Sequence, residues 1–347
     1  MTNIIIDKFQ TMTTTTQIND SMKALVLENY GEAFKVKALP VPVPAKGQVL
    51  VKIMASGVNP LDTKIKRGEG KHARQAVPAV LGLDLAGVVV AIGEGVTTFK
   101  PGDEVYGMAG GIGGRQGTLA EYAAVDAALL APKAANISMR EAAALPLVFI
   151  TAWEGLVDRA QVKEGQRVLV HGGAGGIGHV AIQLARSYGA TVFATGSSHS
   201  LAVIEQLGAT AIDYKNMSVK EYVDKYTDGE GFDIVFDTVG GETLSQSFEA
   251  VRTYTGHVVS ALGWGSHSLA PLSFRGATYS GVFTLLPMLT GKGMQHHGDI
   301  LKAATQLAEN GQLKPLLDSR TLSLEDAGIA YEAIESGSAR GKLVINI

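Results

Sequence analysis

The residues in this chain with the clearest chemical potential are glycines. Residues 173–178 read Gly173-Ala174-Gly175-Gly176-Ile177-Gly178, a G-x-G-x-x-G run, and Val168-Leu169-Val170-His171-Gly172 leads directly into it. Beyond it, Ile177, Val180, Ala181, Leu184, Ala185 and Tyr188 recur at helical spacing until Gly189. A strand feeding a glycine loop that opens an amphipathic helix is the setting in which such a loop holds a dinucleotide. Gly173 is expected to permit the tight turn, Gly175 to let the backbone approach a pyrophosphate, and Gly178 to let the helix pack close to the sheet. The peptide N–H groups of the loop, through Ala174, Gly176 and Ile177, then face phosphate oxygens with the favourable end of the helix dipole behind them.

A second group of candidates lies about twenty residues on, at the end of the next strand, where an NAD site places an acidic residue on the ribose. Here the chain reads Gly196-Ser197-Ser198-His199, with no carboxylate before Glu205. Hydroxyls and an imidazole can donate to a 2′-phosphate, whereas a carboxylate would repel it. The pattern favours NADPH; no Lys or Arg stands in the segment, so NADH stays an alternative. His199 also reads simply as a solvated loop residue.

Other chemistries are poorly provided for. The 347 residues include no cysteine, which removes disulfides, thiol nucleophiles and every cysteine-containing metal site. Of the eight histidines only His296-His297 form a close pair, and adjacent histidines of this kind are expected to be solvated loop residues rather than metal ligands. A net charge of −3 gives no broad basic surface for nucleic acid or anionic membrane. The apolar run at Ile4 to Ile6 is too short for a secretory signal, and the stretches near 144–153 and 281–289 are too short to span a bilayer. A cytoplasmic protein is expected.

The elements that must position these residues divide the chain. Residues 1–21 are polar and Thr-rich and read as a disordered tail. From Met22 short β-branched runs alternate with turn clusters such as Pro101-Gly102-Asp103, an all-β, barrel-like texture. Beyond about Pro146 the pattern turns to strand, helix, strand. Strands are expected at 168–170, 191–195, 211–212, 233–237 and 256–261, with helices at 201–207, near 218–227 and 242–252, and a last strand at 342–345. Five or six such units predict a doubly wound parallel sheet.

Several further motifs stand in order along the chain: Gly57-Val58-Asn59-Pro60-Leu61-Asp62, Gly82-Leu83-Asp84-Leu85-Ala86-Gly87, Phe99-Lys100-Pro101-Gly102-Asp103-Glu104-Val105 and Leu145-Pro146-Leu147-Val148-Phe149-Ile150-Thr151-Ala152. Together with the glycine loop they resemble the medium-chain dehydrogenase/reductase superfamily, and within it the zinc-independent quinone oxidoreductase (zeta-crystallin-like) branch, over essentially all of 22–347. The resemblance implies an α/β fold in which a Rossmann doubly wound parallel sheet, 147–284, is inserted into a GroES-like β-barrel catalytic domain made of 22–146 and a returning segment, 285–347. It implies a ligand cleft between the two, and a homodimer.

The resemblance also places residues. Asn59 and Asp62 would lie at the nicotinamide end with Thr151 contacting the cofactor. Tyr214 would flank the 2′-phosphate, and Val239, Gly240, Gly263, Phe283 and Lys342 would line the dinucleotide path. Each has a plainer reading: Asn59 as a turn former, Asp62 as a helix cap, Thr151 as a strand or helix-start residue, Tyr214 and Phe283 as core aromatics, Lys342 as a solvated charge. The positions that hold catalytic zinc in metal-dependent relatives carry Asn59, Leu83 and Leu147, so no metal is expected. Many quinone oxidoreductases have a Tyr two places after the Asp matched by Asp62; this chain has Lys64, which could hydrogen-bond a developing enolate or quinol oxygen. The reaction so implied is NADPH-dependent hydride transfer to a quinone, with reduction of an enone or alkenal second, since no proton-donor tyrosine is fixed by the sequence. A non-enzymatic NADPH-binding protein is a third reading, and no basic stripe supports the RNA-binding role attached to that branch.

Overall fold

The computed structural model describes residues 19–347. Most of the stretch read as a tail therefore lies outside the described residues, but its last residue, Ser21, already opens a strand, Ser21–Leu27.

The glycine loop belongs to a six-stranded sheet, every pair of which is parallel. In spatial order the strands are Thr210–Asp213, Thr191–Gly196, Arg167–Val170, Ile234–Asp237, His257–Ser260 and Thr278–Gly281. Numbered along the chain this is 3-2-1-4-5-6, so the order reverses beside Arg167–Val170, where a doubly wound sheet opens its ligand crevice. Helices cover both faces of the sheet, and the central strands read as short uninterrupted apolar runs: all four residues of Ile234–Asp237 are buried. The sixth strand is the one the sequence did not mark. Its residues are mostly exposed at the sheet edge, so Thr-Tyr-Ser-Gly carries no buried-strand signature.

The remainder of the chain is mainly antiparallel. A seven-stranded sheet holds Gln48–Gly57 at its centre, and a three-stranded sheet is built on Ser21–Leu27. Alternation is visible along Gln48–Gly57, where Val51 and Ile53 are buried while Lys52 and Met54 face out. This region is not purely β, since Pro60–Lys66 and Met139–Ala143 are helices. The C-terminal strand Val344–Asn346 pairs antiparallel with Gln48–Gly57, and helix Met294–Glu309 packs on Leu130–Pro132. The apolar stretch near 144–153 is a helix, Pro146–Trp153, buried between the two units and extended by a π-turn, Glu154–Arg159.

Candidate active site

Strand register brings the first group of site residues together. Gly57 pairs with Asp84 on one side and with Val344 on the other. Asn59 is two residues beyond Gly57 and Lys342 two before Val344, so both converge beside Asp84; the Val58 N–H to Leu343 carbonyl bond, 2.9 Å, fixes the crossing. A side chain at position 57 is ruled out by space, since its Cβ would lie 2.1 Å from the Ala143 carbonyl oxygen.

The result is a buried polar cluster. Asn59 Nδ2 donates to Asp84 Oδ2 at 2.9 Å, and the Leu147 N–H donates to Asp84 Oδ1 at 3.0 Å. The Lys342 ammonium donates to the Val58 carbonyl at 3.0 Å and to Asn59 Oδ1. The Asn59 N–H donates to Asp62 Oδ2 at 2.8 Å, while Asp62 Oδ1 and the Tyr331 hydroxyl are buried without partners. Burial pushes Asp62 up to about 8, and the N–H bond from Asn59 only partly offsets it. Burial likewise raises Asp84, to about 6, against the opposing pull of Lys342. Burial also pushes the Lys342 ammonium down from its ordinary value. Lys342 is thus buried and hydrogen-bonded rather than solvated. Asp62 caps its helix from behind and does not line the cleft.

The cleft itself is two connected hollows that share Gly172, Ala174, Gly175 and Val239. Most of their sheet-side residues follow the C-terminal ends of strands. The first hollow, about 420 Å³, includes His171, Thr195, Ser197, Ser200, Tyr214 and Gln246. The second, about 550 Å³, lies between the two units and includes Asn59, Lys64, His72, Thr151, Trp264, Phe283 and Lys342.

At their junction the glycines divide their labour differently from the sequence reading. The left-handed turn residue is Gly172, with φ of 72°, not Gly173. Gly173 is a packing glycine, since a Cβ there would stand 2.6 Å from the Ala194 Cβ. Gly178 packs as expected, with room for no side chain: a Cβ would meet the Gly172 carbonyl oxygen at 2.1 Å. Gly175 and Gly176 are open to the hollows. A Cβ on Gly175 would touch only the Gly172 oxygen, at 3.1 Å, and would project into the hollows. This cradle fits a dinucleotide pyrophosphate.

In the first hollow Ser197 and the exposed Tyr214 are present, joined by Ser200, which the sequence reading missed. Ser198 and His199 are exposed and turn away from it. Asp213, paired with Gly196 across the sheet, is the carboxylate nearest in register. It spends both oxygens in its own turn, on the Lys215 N–H at 3.0 Å and Asn216 Nδ2 at 2.9 Å. Burial lowers buried His171 to about 4, so its imidazole is neutral at physiological pH. Val239 lines both hollows on a turn held by Asp237, which accepts from the Val239 and Gly240 N–H groups at 3.0 and 2.9 Å. Gly240 and Gly263 do not line the hollows; a Cβ on either would strike the Leu262 carbonyl oxygen or the Tyr279 hydroxyl.

The second hollow carries an aromatic wall no motif announced. His72 stacks on Trp264 with ring centroids 5.3 Å apart, and Trp264 meets Phe283 edge to face at 6.3 Å. Burial, then the nearby Lys64, hold His72 below its ordinary value. Lys64 is half-buried and lines the same hollow. Thr151 sits in mid-helix, its hydroxyl donating to the Leu147 carbonyl at 2.7 Å. The signals for His72, Trp264 and Thr284, which also lines this hollow, were absent from the sequence because loops distant along the chain bring them here.

The zinc positions were tested against the same geometry. Asn59 and Leu147 do converge, on the Asp84 carboxylate, and Leu83 is buried beside it. An amide, two leucines and an ammonium that already occupies the amide oxygen do not fit a zinc ion. Among the described residues no group of three or more His, Asp or Glu converges as a metal site. The pair His296-His297 is also not a solvated loop. Both lie on helix Met294–Glu309, where successive residues point about 100° apart. His296 is exposed and bonds Asp158 Oδ2 at 2.7 Å; His297 is fully buried.

Two family models match the chain: "Alcohol dehydrogenase GroES-like domain" over residues 45–135 and "Zinc-binding dehydrogenase" over 207–345. The chain is 36% identical over 345 residues to the "NADPH-dependent alkenal/one oxidoreductase, chloroplastic" of Arabidopsis thaliana, covering 96% of this chain and 82% of that protein. It is 30% identical over 330 residues to the "Quinone oxidoreductase" of Homo sapiens, covering 93% and 97%. A solved alcohol dehydrogenase superfamily protein from Novosphingobium aromaticivorans superposes with a TM-score of 0.92 at 54% identity, over 94% of this chain and 99% of that one. Among the described residues no helix is long and apolar enough to cross a membrane.

Proposed function

The chain belongs to the medium-chain dehydrogenase/reductase superfamily, in its quinone oxidoreductase and alkenal reductase branch, and we propose that it reduces α,β-unsaturated carbonyl compounds with NADPH and without a metal. The observation that carries this reading is the continuity of the two hollows: a glycine cradle at their junction, hydroxyls at one end, and Lys64 with two threonine hydroxyls at the other.

Bound NADPH would supply a hydride at the wide end of the cleft. The N–H groups around Gly175 and Gly176 would take its pyrophosphate. Ser197 and Tyr214 would receive the 2′-phosphate, with Asp213 withdrawn into its own turn and so not opposing it. Asn59, pinned by Asp84 and Lys342, gives the cleft floor a fixed amide instead of a metal ligand. Lys64 would hold the carbonyl oxygen as charge develops on it; one donor aimed at an oxyanion is worth about 2.7–4 kcal/mol. The wall of His72, Trp264 and Phe283 suits a flat conjugated acceptor.

Quinones ranked first from sequence because no proton donor was in view. Lys64, Thr151 and Thr284 in one hollow remove that reason and favour carbon-carbon double-bond reduction, with quinones as the second reading. The homodimer expected from the family has a suitable surface in the open edge of Thr278–Gly281, near exposed Tyr254 and Phe274.

The test is NADPH oxidation with matched enones, alkenals, quinones and saturated ketones. Enones and alkenals should give the highest kcat/KM and saturated ketones no turnover. A quinone preference of tenfold or more would establish the second reading, and NADPH binding without turnover of any acceptor would establish the non-enzymatic one.

A further inference from the structure

Behind the second hollow the two threonine hydroxyls lead on to polar groups that the reading above does not use. The hydroxyls of Thr151 and Thr284, both at the hollow wall, are 3.0 Å apart. Thr284 Oγ1 in turn donates to Glu154 Oε2 at 3.0 Å. The other Glu154 oxygen lies 3.5 Å from Nε2 of His297. That imidazole is fully buried, and neither of its nitrogens has a hydrogen-bond partner. Glu154 does not line the hollow, and its side chain is 17% exposed. It begins the π-turn Glu154–Arg159, a departure from α-helical geometry that is frequent at functional sites. The same turn carries Asp158, paired with surface His296.

We infer that Thr151, Thr284 and Glu154 form a proton conduit from solvent to the acceptor, with His297 as the base beside Glu154. The inference rests on the reductase reading. Once a hydride is on the β-carbon of an enone, the π pair resides on oxygen as an enolate, and a proton must bond to the α-carbon while the C=O re-forms. In the conduit the Thr151 O–H breaks as its proton passes to that carbon. The Thr284 proton passes to Thr151, and the carboxyl proton of Glu154 passes to Thr284. The carboxylate left at Glu154 regains a proton from solvent or from His297. At rest Thr151 donates to the Leu147 carbonyl and Thr284 to Glu154 Oε2, so the path opens when both hydroxyls rotate, Thr284 toward Thr151 and Thr151 toward the acceptor, with the Glu154 proton on Oε2.

A structural brace made of the same three residues would hold helix Pro146–Trp153 to the end of the sixth strand without moving protons, and the experiment must separate the two. Reduction of an α-substituted enone is run in D2O with the wild type, Thr284→Ser, Thr284→Val and Glu154→Gln. Wild type and Thr284→Ser should place deuterium on one face of the α-carbon. Thr284→Val and Glu154→Gln should lose at least about tenfold in kcat and label both faces, with the NADPH Kd unchanged. In the free protein, the infrared band of the Glu154 carboxyl should shift in Thr284→Val and not in Thr284→Ser. Wild-type stereochemistry and kcat in Thr284→Val and Glu154→Gln, or an unmoved band, would overturn the conduit. A wild type that turned over no enone would overturn the reductase reading itself, and the conduit with it.

Discussion

At the scale of single residues, the buried carboxyls beneath the cleft make stability depend on pH in a stated direction. Asp62 rises from 3.8 to about 8 on folding, so between those values the folded chain holds a proton that the unfolded chain has released. Its effect on stability is therefore absent below 3.8 and grows as pH rises, by up to about 1.4 kcal/mol per unit, levelling off above about 8. His171 and His179, both lowered from 6.5 to about 4 by burial, act with the opposite sign, but only below 6.5. Above that value the Asp62 slope is no longer opposed by them. Lys342, lowered by burial, acts with the opposite sign in wild type and variant alike, so the difference isolates Asp62: in thermal melts between pH 6.5 and 8, Asp62→Asn should gain Tm relative to the wild type as pH rises. Parallel curves would show that Asp62 is ionised in the folded chain. The same residue marks the limit of what was legible. Motif position placed Asp62 at the nicotinamide end, but its orientation, behind Asn59 and toward Tyr331, follows from helix Pro60–Lys66 packing on Ala327–Glu335, which no local pattern encodes.

At the scale of elements, the strand–loop–helix around the glycines was the most legible part of the chain, because turn, phosphate cradle and helix packing all fall within a dozen consecutive residues. Even there the division of roles depends on contacts made in three dimensions. Gly172 makes the turn, while Gly173 and Gly178 are set by contacts with Ala194 and the Gly172 carbonyl. Two substitutions separate cradle from packing. Gly175→Val should remain folded by circular dichroism and lose NADPH binding, measured by fluorescence titration. Gly178→Ala should instead lower stability, by about 1–3 kcal/mol as in other overpacked sites. Tight NADPH binding by Gly175→Val would remove the loop from the cofactor site. The strands of the parallel sheet were readable wherever both faces are covered, and the sixth, exposed at the edge, was not. The His296-His297 pair misled for the related reason that two neighbours on a helix can have opposite fates, one in water and one in the core.

At the scale of the whole molecule, the dinucleotide end of the site belongs to one unit and the acceptor end to both. Val344–Asn346 returns some 290 residues after Gln48–Gly57 to pair with it, and that pairing carries Lys342 to Asn59. This closure explains why the family pattern pointed to residues of one cleft while residue spacing alone could not assemble Asp84, His72, Thr284 and Lys342. It also sets the central proposal: that a cleft whose floor is Asn59, Asp84 and Lys342 works without a metal. The direct test is NADPH oxidation with an enone by protein exhaustively dialysed against chelator, with metal content measured in the same sample. The account predicts full activity with less than one tenth of a metal ion per chain, unchanged on adding zinc. Activity lost on chelation and restored by zinc would contradict it.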